Sequence, residues 1–169
     1  TVKTLPCSVR SYVFNDFNTS QYAQVVGGTN ERFDEIWWFY CSANSTQNDR
    51  YVVYNYLQDI WYYGTLSRSA WIDSDLRENP MAATYSNNLV NHEVGYDSQE
   101  GAVASAITAT LLSSEFDLDD GDKFMFINRV LPDVTFEGST VTNPAAVMTL
   151  SPMQNSGSGY NNPLSVGGN

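Results

Sequence analysis

The chain has 169 residues, enough for one domain or two small ones. Hydrophobic residues make up 42% of it and aromatic residues 14%, which supports a real core and excludes a disordered chain. A formal net charge of −11 with a pI near 4.2 excludes a general grip on nucleic acid and adhesion to anionic membranes, both of which need a basic surface.

The first segment, Thr1–Phe17, contains Cys7 and ends in an aromatic run, Tyr12-Val13-Phe14. No signal peptide is visible and no run of about 18 apolar residues occurs, so no membrane span is expected. Thr1 is not a natural start residue, so a processed chain or a segment of a longer one is expected. Thr19–Val26 carries Tyr22, Val25 and Val26 at helix-like spacing, before Gly27-Gly28-Thr29-Asn30.

Glu35–Leu66 reads as three consecutive strands: Ile36–Cys41, Tyr51–Tyr56 and Ile60–Leu66. A polar loop, Ser42–Asp49, joins the first two, and a Leu57-Gln58-Asp59 turn joins the last two. The runs are aromatic and β-branched, and apolar residues fall on both faces, so both faces are expected to be covered. A meander of this kind is the unit from which a propeller blade is made. Ser67–Asp75 follows with Trp71 as its one large apolar anchor. Arg68 is expected either to form a cation–π pair with Trp71 or to be solvated.

Pro80 punctuates the chain before a second hairpin, Met81–Tyr85 and Leu89–Gly95. Ser86-Asn87-Asn88 joins these strands, since asparagine tolerates the positive φ of tight turns. His92 and Glu93 fall inside it. As strand neighbours they would point to opposite faces and not converge on one substrate. Tyr96–Gly101 is the expected boundary. Beyond it, strand or extended chain is expected over Ala102–Leu112 and strands over Phe124–Val130 and Ala145–Leu150, and Ser151–Asn169 reads as a flexible, Gly/Ser/Asn-rich tail.

Candidate chemistry is sparse. Asp117, Asp119, Asp120 and Asp122 surround Gly121, but counting from Asp117 puts glycine at the fifth position and Asn128 at the twelfth, which breaks a calcium-loop pattern. An acidic turn is expected instead. Cys7 and Cys41 are expected as free, buried thiols, and with the lone His92 they make no metal set. The sequons at Asn18 and Asn44 read as polar loop. Walker loops, nucleophile elbows and metal-ligand helices are missing from the text. The expectation is therefore no enzyme, no catalytic residues, no cofactor and no metal.

The string RFDEIWWFYCSANSTQNDRYVVYNYLQDIWYYGTLSRSAWID resembles the nozzle, or tail tubular B-like, proteins of short-tailed phages, also described as packaged-DNA stabilisation proteins. The matching residues are Arg32, Phe33, Glu35–Tyr40, Asp49–Val53, Trp61, Gly64–Leu66, Arg68, Ala70, Trp71 and Asp73. Further blocks match at NPMAATYSNNLVNHEVGYD, at FDLDDGDKFMF (where Asp119 stands near the family's first glycine), at Arg129, Leu131, Pro132, Asp133, Thr135 and Phe136, and at Ala145–Leu150.

The resemblance implies an all-β fold with propeller-like antiparallel blade hairpins over residues 1–97, a small β-sandwich-like module over 98–150 and the tail over 151–169. It also implies a strand over Ala23–Gly28, which is for that reason preferred to the competing helix. It implies a structural virion protein, made in the host cytoplasm and placed in the phage tail. Such a protein forms a homo-oligomeric ring, commonly a hexamer, that meets adaptor or portal-complex and tail-fibre proteins. DNA would pass through its channel without sequence-specific binding, along an acidic wall to which it does not stick. The second reading is a carbohydrate-binding β module that stacks sugars on Trp37, Trp38, Trp61 or Trp71.

Overall fold

The computed structural model describes residues 4–100, 103–117, 121, 123–139, 142–155, 157–161 and 163–168. The fold is mostly β, with antiparallel sheets and few helices. The chain divides into two compact units, Thr1–Gly95 and Tyr96–Asn169.

The first unit is built on a four-stranded meander of β1 (Val26–Asn30), β2 (Glu35–Tyr40), β3 (Arg50–Asn55) and β4 (Ile60–Thr65), hydrogen-bonded in sequence order. Its register places Gly28, Trp37, Val53 and Tyr62 across one line, and Val26, Phe39, Tyr51 and Gly64 across the next. Period-2 alternation puts these side chains on one face. Phe39 and Val53 there are wholly buried, with Trp37 beside them.

The opposite face carries Trp38, Tyr40, Val52, Tyr54, Trp61 and Tyr63. A short helix, α1 (Arg10–Asp16), lies against this face: Tyr12 stacks on Tyr63 at 3.8 Å, and Phe17 meets Tyr40 edge-on. Both faces of the meander are thus covered.

Asx and aspartate turns close the loops. Asn55 Oδ1 accepts from the Leu57 and Gln58 amides, and Asp59 (φ 56°) accepts from the Tyr54 hydroxyl. The Ser42–Asp49 loop is pinned by Asp49, whose two oxygens take the Ser42 amide (2.8 Å) and hydroxyl (2.7 Å).

A second sheet orders β5 (Ala70–Ile72), β6 (Met81–Ala83) and β7 (Leu89–Asn91) as another meander. Asn87 has φ 63°, in keeping with the turn expected at Ser86-Asn87-Asn88. β5 is not marked as a strand by composition; it forms because Trp71 docks on the first sheet. The indole stacks on Trp37 at 5.3 Å and sits 5.4 Å from the Phe39 ring, and its Nε1 donates to Thr29 O at 2.7 Å.

That docking explains one of the two glycines of β1, Gly28. A Cβ on Gly28 would lie 2.2 Å from Trp71 Cδ1, whereas one on Gly27, on the other face, would make ordinary contact with Trp38 at 3.4 Å. The strand expected over Ala23–Gly28 therefore lies later, over Val26–Asn30, and Thr19–Gln24 is a 3-10 helix capped by Asn18.

The second unit holds two separate ladders, β8 (Asp97–Ser98) with β9 (Ser105–Ala106) and β10 (Ala146–Leu150) with β11 (Leu164–Gly168). Three expectations change here. All of Phe124–Val130 joins no ladder among the described residues, no sandwich is formed among them, and part of the stretch read as a tail pairs as β11, while Ala102–Leu112, read as strand or extended chain, pairs only at Ser105–Ala106 among its described residues. Strands persist when paired and buried, but Phe124 is 80% exposed, Phe126 88% and Leu111 fully so. Among the described residues no closed barrel or propeller is formed.

Gly28→Ala is expected to destabilise the first unit by about 1–3 kcal/mol through overpacking against Trp71. Gly27→Ala is expected to change it by less than about 1 kcal/mol, since Gly27 sits in ordinary strand conformation with room for a methyl. Urea unfolding of the two variants followed by tryptophan fluorescence checks the contrast.

Candidate functional site

The four tryptophans were the candidate sugar platforms. Trp37 is buried in the core, and Trp71 is half-buried across it from the second sheet. Trp38 and Trp61 are half-buried on the other face, stacked at 5.9 Å, and Trp61 Nε1 is used by the Pro6 carbonyl at 2.9 Å. The two indoles line a groove of about 410 Å³ under α1, whose other walls include Cys7, Val13, Phe14, Phe17 and Val52, with Arg10 the single charged side chain.

Tyr40 also lines this groove, but its hydroxyl is sealed from solvent with no hydrogen-bond partner. Burial, helped by Tyr12 and Asp16, pushes its pKa up to about 12, so the phenol stays neutral. The groove is an apolar slot. It lacks the convergent polar groups that would read sugar hydroxyls.

Arg68 is neither solvated nor a simple partner of Trp71. It is only 3% exposed, with Nε donating to His92 Nε2 (2.9 Å) and Nη1 to Ser67 O (2.7 Å). The His92 ring lies 4.6 Å from that of Trp71, so arginine, imidazole and indole form one packed column. The bond to Nε2 requires a neutral imidazole with its proton on Nδ1. The cation–π pair found instead joins Arg32 to Phe33 at 5.8 Å.

Sequence reasoning missed Asn48. It is wholly buried at the end of the polar loop. Its Nδ2 donates to Gln24 O (2.8 Å) and Arg68 O (3.2 Å), its Oδ1 accepts from the Cys41 thiol, and its amide donates to the Tyr85 hydroxyl. One side chain thus ties the 3-10 segment, β2 and the approach to β5. An asparagine among Ser, Thr, Gln and Asn in a polar stretch carries no signal of this role.

His92 and Glu93 lie beyond β7 rather than within a strand, and Glu93 has φ 58°. They still diverge, as expected. His92 turns to Arg68, while Glu93 turns to Asn30 and Glu35. Asn30 Nδ2 donates to Glu35 Oε2 (3.1 Å) and to Glu93 Oε1 (3.3 Å). Glu35 also accepts from Trp37 Nε1 (2.8 Å) and from the Tyr62 hydroxyl. Burial, and then the Glu35 charge, raise the Glu93 carboxyl above its ordinary range, against the lowering effect of Asn30 and Arg32. Burial and the bond to Glu35 raise the Tyr62 phenol well above its own.

Both thiols are free; Cys41 is buried and Cys7 half-buried. Burial and the Asp49 charge raise the Cys41 pKa, which makes it unreactive. Asp119, Asp120 and Asp122 lie outside the described residues, and Asp117 is exposed. Among the described residues no group of three or more His, Cys, Asp or Glu could hold a metal, and no helix is long and apolar enough to cross a membrane. Comparison with protein-family models, with curated proteins and with solved structures gives no match.

Asn48→Ala is expected to cost about 2 kcal/mol, because it leaves the buried Arg68 carbonyl and the part-buried Gln24 carbonyl without a donor. Cys41→Ala, which removes only a weak thiol donor and one sulfur atom, is expected to cost less. Thermal unfolding of the two variants side by side checks the ranking.

Proposed function

We propose that this chain is a structural component of a short-tailed phage tail, of the nozzle or tail tubular type, and that it acts by assembly rather than by chemistry. The observation that carries the reading is the sequential four-stranded meander with both faces covered, followed directly by a second meander docked on it through Trp71. Propeller blades are four-stranded meanders; the second sheet has three strands, while the first has that strand count and order. The aromatic and turn residues that build it are those on which the resemblance rests.

In this reading the chain is one part of a homo-oligomeric ring, with six copies as the family pattern suggests. Acidic side chains toward the channel keep DNA from adhering, and adaptor, portal-complex and fibre proteins dock on the outside. Further blades come from other chain or from neighbouring copies. The large apolar side chains exposed in the second unit, Leu111, Leu112, Phe124 and Phe126 among them, are of the kind that an assembly covers.

The sugar-binding reading draws on the stacked Trp38–Trp61 pair alone. The apolar walls around that pair and the use of the Trp61 N–H by Pro6 speak against it.

The native mass of the purified chain, by light scattering together with intact mass, tests the proposal. A discrete ring-sized oligomer is expected, with no binding on a glycan array. A chain that stays monomeric at all concentrations and retains a sugar ligand would overturn it.

A further inference from the structure

We propose that Glu35 and Glu93, bridged by Asn30, form a proton-operated clasp that fastens the segment after β7 onto the first sheet. The inference stands on geometry in the first unit and is independent of the assembly reading.

Three elements converge at this point. Asn30 ends β1 and is wholly buried; its Nδ2 is used by the two carboxyls, and its Oδ1 has no hydrogen-bond partner among the described residues. Glu35 opens β2, directly opposite Asn30 in the register. Glu93 arrives from beyond β7, held at a positive φ. The single Nδ2 of Asn30 serves both carboxyl groups, one hydrogen to each.

The two carboxyls are not equivalent. Glu35 accepts three hydrogen bonds, from Asn30, Trp37 and Tyr62, and so its negative charge is well solvated by the protein. Glu93, exposed to solvent as a residue, accepts only the bond from Asn30 and faces the charge of Glu35. When a proton is taken up by such a pair, it goes to the member with fewer donors.

The charged and titratable groups facing Glu93 are Glu35 on β2, Tyr62 on β4 and Arg32 after β1. Arg32 is the sole cation of the set. It is largely exposed and divided between Glu78 (3.9 Å) and Asn79 (3.4 Å), so it offsets the repulsion only in part.

The direction follows from linkage. The folded-state pKa of Glu93 lies above its unfolded value, near 4.5. A neutral Glu93 keeps the clasp closed. As pH rises from the unfolded value through the raised folded one, Glu93 ionises beside Glu35 and the stabilisation is lost. The segment 92–95 then loosens from the first sheet.

The test uses the full chain and Glu93→Gln, which holds the neutral form at every pH. Wild type and variant are expected to melt together near pH 4. The variant should become measurably the more stable at pH 8, by a gap that solvent screening at the exposed Glu93 keeps small and that opens between those limits. Subtracting the two curves cancels the pH dependence that comes from the remaining acidic residues. Carbon-detected NMR titration of the Glu93 carboxyl is expected to give a pKa above 4.5, the ordinary value. Amide exchange of residues 92–95, corrected for intrinsic rates, should be more protected at pH 5 than at pH 8.

A gap that does not widen with pH, a Glu93 carboxyl titrating at or below the ordinary value, or exchange protection of 92–95 that is the same at both pH values would each overturn the clasp.

Discussion

The first unit depends on the seating of one indole. Trp71 fills the space above Gly28, stacks on Trp37, approaches Phe39 and gives its N–H to the Thr29 carbonyl. Each aromatic contact of this kind adds about 0.5–1.5 kcal/mol beyond the area it buries. The larger effect is positional. With Trp71 in place, β5 lies against β1, the β5–β7 sheet has a floor, and His92 and Glu93 are delivered to their separate partners. A side chain of any size at position 28 removes the seat.

Around that contact the unit carries an unusual load of buried polar groups. Asn48, Arg68, Asn30 and Asn55 are all buried, and each bonds to a segment distant in sequence. A buried polar network is costly when half-satisfied and strongly specifying when complete. Apolar contact alone would let two aromatic sheets slide over one another. Asn48 and Arg68 fix the loops at one end of the stack, and Asn30 and Glu35 fix them at the other. The aromatic layers supply the driving force, and the polar ends supply the register.

The two units differ in kind. The first packs rings on both faces of a sheet. The second holds short ladders, a Tyr96 ring over Gly138 and a Tyr160–Glu115 hydrogen bond, and leaves many large apolar residues in solvent. In the first, function and fold share the same residues, for the blade-like sheets are both the core and the basis of the proposed role.

The sequence alone determined the aromatic meander. Runs such as EIWWFY and RYVVYN are long, β-prone and separated by turn residues, so local preference and burial point the same way. The Asn87 turn was legible for a similarly local reason, whereas the divergence of His92 from Glu93, expected from strand alternation, arises beyond β7 from the positive φ of Glu93 and from separate partners. Tertiary structure alone decided the rest. Val26–Asn30 became a strand although it contains two glycines, because it pairs with β2 along its length and the Trp71 indole occupies the room a side chain at Gly28 would take. Ala70–Ile72 became a strand because Trp71 is docked. Phe124–Val130, with a strand-like composition, joined no ladder among the described residues, since neither a pairing strand nor a covering layer reached it. Asn48 and the Glu35–Asn30–Glu93 clasp join residues up to 63 positions apart. No pattern within one segment encodes such a meeting, because it is fixed by which sheets pack together and in what register.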